Sequence, residues 1–100
     1  MEPVTGLLWD DFNREHIARH GVSTGDVEDV AIGPGRVVVV ISHEHRPGRR
    51  ELYGVTRAGR PVVVVTEGPP AAGLAYVVTT RPMTAKEWRA VEEAMRDDEN

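Results

Sequence analysis

The sequence predicts a single α+β domain in which helices flank a sheet of consecutive strands. Three observations support this prediction. The chain has 100 residues, which suits one domain with one core. Helical spacing of apolar residues occurs near both ends, and β-branched runs fill the middle. The expected order is two N-terminal helices, a four-stranded antiparallel sheet (a meander) and a C-terminal helix, packed in two layers.

The first helix is predicted at residues 10–20. Asp10 is a suitable N-cap, because its carboxylate can accept a hydrogen bond from a free N–H of the first turn. Gly21 follows the helix, where a residue in the left-handed conformation often ends one. The ring-bearing side chains recur every four residues, and we expect this stripe to face the core: Phe12, His16 and His20.

A second, shorter helix is predicted to begin at Ser23 or Thr24 and to stop at the breaker sequence 33–35. The β-branched segments that follow predict four strands, at 36–42, 49–56, 60–66 and 74–80. The first of these is continuously apolar, which is typical of a strand covered on both faces. Residues 6–9 fit a further short edge strand. Arg57, Ala58 and Gly59 predict a hairpin loop, with the glycine at positive φ.

The last helix begins with a capping box, in which Thr84 is the N-cap and Glu87 is the third helical residue. Its apolar residues, Trp88, Val91 and Met95, share one face. The acidic segment 97–100 is expected to fray, so the predicted domain spans residues 1–100 with an ordered core at about 7–96.

Composition excludes several classes of protein. The chain has no cysteine, so it has no disulfide and no thiolate site. Its longest apolar run is five residues, far short of the roughly 20 that a membrane-spanning helix needs. The first residues lack the basic and apolar segments of a signal peptide, so we expect a cytoplasmic protein with no membrane partner.

Charge is distributed unevenly along the chain. The net charge is −4, which disfavours direct nucleic-acid binding by the chain as a whole. Residues 31–81, however, contain seven arginines against three glutamates, a local balance of +4. Arginine suits bidentate binding of phosphate or carboxylate, so this segment is the candidate for anion recognition.

Three stretches of the chain together resemble the BrnT family of bacterial toxins. The first is WDDFNREHIARHGVS at 9–23, with its Trp-Asp opening and its basic-His-Gly ending. The second is RRELYGVTRAGRPVVVV at 49–65, and the third is VVTTRPMTAKE at 77–87, which contains the strand-end Arg81. They follow one another in the order and spacing of the family, over about residues 7–90.

This resemblance implies a fold similar to that of the RelE-type ribonucleases. It implies a toxin of a type II toxin–antitoxin pair that cleaves RNA without a metal ion or other cofactor. It also implies a small antitoxin partner that carries the DNA-binding element. We do not expect this chain to bind DNA alone, since it is acidic and has no recognition helix.

Metal-free cleavage of RNA requires a base for the 2′-hydroxyl, an acid for the leaving 5′-oxygen and cations for the charged phosphorane. We expect Arg81 and Arg50 to hold the scissile phosphate. His20 is expected to transfer a proton, and Glu51 to act as the base or to orient the arginine. Four further residues are candidates for RNA contact: Arg19, Tyr53, Arg57 and Arg60.

Each candidate also has an ordinary structural interpretation. Arg81 can pair with Glu87 at the end of a strand. His20 can interact with the negative end of the first helix, and His16 can be a partly buried structural residue. Tyr53 can fill a small core. The two arginines beside the hairpin can serve solubility alone.

Two further functions remain open from the sequence. The first is a protein-interaction domain of the same fold without nuclease activity. It is favoured by departures from the family pattern, which often has lysine at the position of Asn13 and basic residues at 74–76. The second is a metal-dependent hydrolase built on His43 and His45, which lie two residues apart and share a strand face, with His20 as a third ligand. We expect no bound metal.

Overall fold

The computed structural model describes residues 6–33, 35–42, 45, 48–68 and 74–98. It confirms an α+β fold, with elements in the order β1 (Gly6–Leu8), α1 (Asp11–Arg19), α2 (Thr24–Ala31), β2 (Arg36–Ser42), β3 (Arg50–Val55), β4 (Pro61–Glu67), β5 (Leu74–Pro82) and α3 (Ala85–Asp98). Helix α3 therefore continues into the segment that was expected to fray. Among the described residues, no helix has the length and apolar character needed to cross a membrane.

The strands form one sheet of five, in the order β1-β5-β4-β3-β2. Strands β2 to β5 are antiparallel neighbours in chain order, as the sequence predicted. The sheet matches the predicted four-stranded antiparallel meander only in part. The short edge strand expected at 6–9 forms β1, and it adds a fifth strand that runs parallel to β5. Parallel pairing of two strands so distant in sequence leaves no hairpin signal to read.

Both faces of the sheet are covered, as the central strand β4 demonstrates. Its four consecutive valines, Val62–Val65, are all buried. Because successive side chains of a strand point to opposite faces, helices must cover each face. On one face, Val62 and Val64 pack in a cluster with residues of α1 and α2. On the other face, Val63 lies opposite Arg81 in the sheet, and Arg81 contacts Glu87 of α3. The domain therefore has three layers, not two.

The apolar core lies on the side of the sheet that α1 and α2 cover. The buried cluster joins Ile17 of α1 and Val27 and Val30 of α2 to one side of the sheet, formed by Leu52, Val62, Val64 and Val77. Burying a valine or leucine side chain contributes about 1.5–3 kcal/mol. We call this side of the sheet the α1/α2 face and the opposite side the α3 face.

Helix α1 faces this core with a different stripe from the one that the sequence suggested. Its buried residues are Asn13 and Ile17, whereas Phe12 is 73 % exposed. The Asn13 side-chain amide donates hydrogen bonds to the carbonyls of Leu8 (3.0 Å) and Val77 (3.1 Å). This amide links β1 to β5, and the burial of Asn13 turns the ring stripe toward solvent.

The apolar run at 36–42 is also placed differently from the prediction. It forms β2, the outer strand of the sheet, and Val40 and Ile41 are 46 % and 43 % exposed. Strand order accounts for this result, because a strand at the edge of the sheet has a neighbouring strand on one side only.

The predicted helix and turn signals are confirmed. Asp10 caps α1, Ser23 rather than Thr24 caps α2, and Gly21 ends α1 with φ of 72°. Gly59 has φ of 86° in the β3–β4 hairpin, a conformation that favours glycine.

Candidate functional site

Polar side chains from neighbouring strands meet on the α3 face. The register of the sheet places Tyr53 of β3 opposite Val63 of β4, and Val63 opposite Arg81 of β5. The three residues therefore lie in one row across the sheet. Glu51 lies two residues before Tyr53, so it shares this face.

Arg81 is held by Glu87, which lies in the first turn of α3. Nη1 of Arg81 donates to Oε1 of Glu87 at 2.7 Å, and Nη2 donates to Oε2 at 2.8 Å. Such a bidentate contact fixes the plane of the guanidinium as well as its position. The structural interpretation of Arg81 as a partner of Glu87 is therefore confirmed.

Glu87 also completes the predicted capping box. The backbone N–H of Thr84 donates to Oε1 of Glu87 at 2.9 Å, and the N–H of Glu87 donates to Oγ1 of Thr84 at 3.1 Å. One carboxylate thus closes the start of α3 and orients Arg81. The sequence indicated each role separately, and the structure shows that one side chain performs both.

The charge states of the cluster follow from these contacts. The hydrogen bonds from Arg81 lower the pKa of Glu87 from 4.5 to about 2, although burial opposes this shift. The bond to Glu87 likewise raises the pKa of Arg81. Burial, followed by the charges of Glu51 and Glu87, raises the pKa of Tyr53. Near neutral pH, Glu87 is ionised and Tyr53 keeps its phenolic proton.

A cleft of about 230 Å³ opens beside this cluster, between α3 and the outer part of the sheet. Apolar residues form most of its lining: Ile41, Ala90 and Val91. Tyr53 and Glu87 contribute the two polar groups. Sequence reasoning missed the contribution of Ile41, because the register of β2 was not readable. Val91 was placed correctly on the apolar face of α3, but not beside a cleft.

Arg81 keeps hydrogen-bonding capacity beyond its contact with Glu87. A guanidinium has five N–H donors, of which two bind Glu87 and one contacts the Pro82 carbonyl at 3.3 Å. The side chain is 38 % exposed. Arg81 can therefore bind an additional anion while Glu87 holds it in place.

Two of the predicted catalytic residues lie elsewhere. Arg50 precedes Glu51 on β3, so it shares the α1/α2 face with Leu52, and it cannot grip the same phosphate as Arg81. His20 caps α1, a helix packed on the α1/α2 face, and its side chain is exposed. The structure therefore does not bring Arg50 and His20 together with Arg81 on one face of the sheet.

The remaining candidates for RNA contact lie on α1 and at the β3–β4 hairpin, outside the row that contains Tyr53 and Arg81. Arg19 is exposed on α1. Arg57 and Arg60 flank the β3–β4 hairpin, where Nη1 of Arg60 pairs with Asp26 at 3.2 Å and the backbone N–H of Arg57 donates to Asp29. These contacts anchor the hairpin to α2.

The proposed metal ligands are tested only in part. His43 lies outside the described residues, and His45 is exposed in the turn that follows β2. Over the described part of the chain, no group of three or more histidine, aspartate or glutamate side chains is arranged to hold a metal ion.

Comparison with known proteins adds no identification, since no family model, curated protein or solved structure matches the chain. The resemblance to the BrnT toxins therefore depends on the three sequence stretches alone.

Proposed function

We propose that the chain is the RNA-cleaving toxin of a bacterial type II toxin–antitoxin pair. It acts in the cytoplasm without a metal ion, and a DNA-binding antitoxin neutralises it. The sequence resemblance suggests the reaction. The supporting structural observation is the convergence of Arg81, Tyr53 and Glu51 on the α3 face, next to an open cleft.

Each of these residues fits one requirement of metal-free RNA cleavage. Glu51 takes the proton of the 2′-hydroxyl, whose oxygen then attacks the adjacent phosphorus. Arg81 stabilises the negative charge that develops on the phosphorane, and Glu87 keeps the guanidinium aligned. The phenol of Tyr53 gives its proton to the leaving 5′-oxygen. The products are a 2′,3′-cyclic phosphate and a free 5′-hydroxyl.

The test is induced expression in a bacterium, with growth and bulk RNA integrity followed together. The wild-type chain is expected to stop growth and degrade RNA, and co-expression of the neighbouring antitoxin gene is expected to restore growth. Arg81→Ala should neither stop growth nor degrade RNA at the same soluble level. Arg89→Ala removes an exposed arginine from α3 and provides the matched control, which should behave as the wild type does.

A second candidate function is a protein-interaction domain without nuclease activity. Two observations favour it: His20 and Arg50 lie away from Arg81, and the site contains two carboxylates, Glu51 and Glu87, beside the Arg81 guanidinium. Intact RNA and normal growth during expression of the soluble wild-type chain would support this function and contradict the ribonuclease. A pull-down with the tagged chain would then search for the partner.

A further inference from the structure

The ring stripe of α1 has no role in the site described above. It comprises Phe12 and His20, which are exposed, and His16, which is partly exposed, and it runs beside the buried residues of α1, Asn13 and Ile17. Two of its members are imidazoles four residues apart. The contacts within the stripe are specific, and they suggest a function for this surface that is independent of RNA cleavage.

The two imidazoles lie close together. The ring centroids of His16 and His20 are 5.3 Å apart, and the ring planes are inclined at 65°. In a tetrahedral site, two nitrogens bound to one metal at about 2.0–2.1 Å each lie roughly 3.3 Å apart. Because the ring centres lie behind the nitrogens, they are farther apart, at a separation close to the 5.3 Å seen between His16 and His20. Two histidines at i and i+4 on one helix face are a recurrent metal-binding arrangement.

Phe12 orients the first of these rings. Its ring stacks on that of His16 with a centroid separation of 6.3 Å and an interplanar angle of 12°. Phe12 is 73 % exposed, so core packing does not explain its position. Stacking restricts the rotation of the His16 ring, which lowers the entropy that a chelate would cost.

The surroundings of the pair suit a cation with a preference for nitrogen ligands. Glu15 and Arg19 precede the two histidines in the sequence, both are exposed, and their opposite charges offset each other. Imidazole selects Cu²⁺, Ni²⁺ and Zn²⁺ over Mg²⁺ and Ca²⁺, which prefer oxygen. Zinc proteases with two histidines at this spacing have a glutamate directly after the first histidine, and it acts as the general base. Ile17 occupies that position here, so the pair implies no hydrolytic metal chemistry.

We propose that His16 and His20 form a surface chelate for a late first-row divalent cation, with its remaining coordination positions filled by water. Bound metal joins the last two turns of α1. Because α1 has only nine residues, it gains stability from any cross-link between its turns. A metal ion that binds the folded chain but not the unfolded chain also raises the midpoint temperature of thermal unfolding.

The experiment titrates the purified full-length chain with Cu²⁺, Ni²⁺, Zn²⁺ and Mg²⁺ separately, by calorimetry and by thermal unfolding. We expect one saturable site per chain, tighter binding of Cu²⁺ than of Ni²⁺ or Zn²⁺, and no binding of Mg²⁺. His16→Gln and His20→Gln should each weaken Cu²⁺ binding at least tenfold, which equals about 1.4 kcal/mol. His45→Gln is the matched control and should leave the affinity unchanged.

Nuclear magnetic resonance provides a test that requires no variant. Substoichiometric Ni²⁺ should broaden the ring C–H signals of His16 and His20 before those of His43 and His45. The proposal is overturned if no saturable site is found, if His45→Gln abolishes binding, or if the signals of His43 and His45 broaden first. None of these results bears on RNA cleavage, since the chelate and the Arg81 site share no residue.

Discussion

The two faces of the sheet use the same strands for different purposes. The α1/α2 face buries aliphatic side chains, and its buried Asn13 is hydrogen-bonded to the backbone. The α3 face collects Glu51, Tyr53 and Arg81 under a helix that contributes a carboxylate. The first face holds the apolar core cluster, and the second carries the polar side chains on which chemistry can take place.

This difference shows that the two faces of one sheet have separate roles in a chain of 100 residues. Alternation along each strand sends neighbouring residues to opposite faces, so Leu52 enters the core while Tyr53 enters the site. The site is therefore held by the same backbone hydrogen bonds that hold the core. Substitutions can separate the two faces, and the following predictions do so in order of decreasing effect.

Asn13→Ala tests the polar anchor of the α1/α2 face. The substitution leaves the Val77 carbonyl, which is buried in the core, without its side-chain donor and removes the link to β1. We expect the free energy of unfolding to fall by about 3 kcal/mol. Urea denaturation would measure the loss, with Arg14→Ala on the exposed side of α1 as the control. Equal midpoints for the two variants would show that Asn13 anchors nothing.

Val63→Ala tests whether α3 covers its face as tightly as α1 and α2 cover theirs. Val63 and Val64 are both fully buried but point to opposite faces. The alanine variant of each is expected to lose about 2 kcal/mol of stability. Val40→Ala on the outer strand should cost less than about 0.5 kcal/mol. If Val63→Ala behaves like Val40→Ala instead, the three-layer description fails.

Glu87→Gln tests the electrostatics of the α3 face through pH. The pKa of Glu87 is lowered from 4.5 to about 2 in the folded chain, so its ionised form stabilises the fold above pH 4.5. This stabilisation disappears as the pH falls from 4.5 toward 2. The pair is partly exposed, and screening by solvent leaves an expected contribution of about 1–2 kcal/mol.

Glutamine keeps the capping hydrogen bonds of the helix start, so the variant isolates the charge. Wild type should exceed Glu87→Gln in stability at pH 7, and the two should converge near pH 2. Glu92→Gln removes an exposed carboxylate from the same helix and serves as the control. A stability difference that is independent of pH would contradict the charge-based explanation.

Much of the fold could be predicted from local signals. The capping residues, the end of α2, the hairpin glycine and the strand alternation are short-range features, and each was found where the sequence placed it. The pairing of β1 with β5 was not predictable in this way, because it joins the first strand of the chain to the last. The exposure of β2 was missed for a related reason, since valine-rich runs look alike at the centre and at the edge of a sheet.

The candidate site was predictable in part. Glu51, Tyr53 and Arg81 were predicted as site residues and share the α3 face, whereas Arg50 and His20 were also predicted but lie on the side of the α1/α2 face. The rotation of α1 depends on its buried asparagine, which bonds to backbone carbonyls of β1 and β5. A polar residue in the buried stripe gives no hydrophobic signal, and this misdirected the assignment of the ring stripe.

The most direct test of the central claim compares Arg81→Ala with Arg50→Ala on purified protein, with single-stranded RNA as substrate and a chelator in the buffer. Both variants remove one arginine, but from opposite faces of the sheet. We predict that wild type and Arg50→Ala cleave RNA, and that Arg81→Ala loses at least about a hundredfold in rate, as removal of a charge-stabilising group does. Equal cleavage by both variants, or loss in Arg50→Ala alone, would contradict a site on the α3 face.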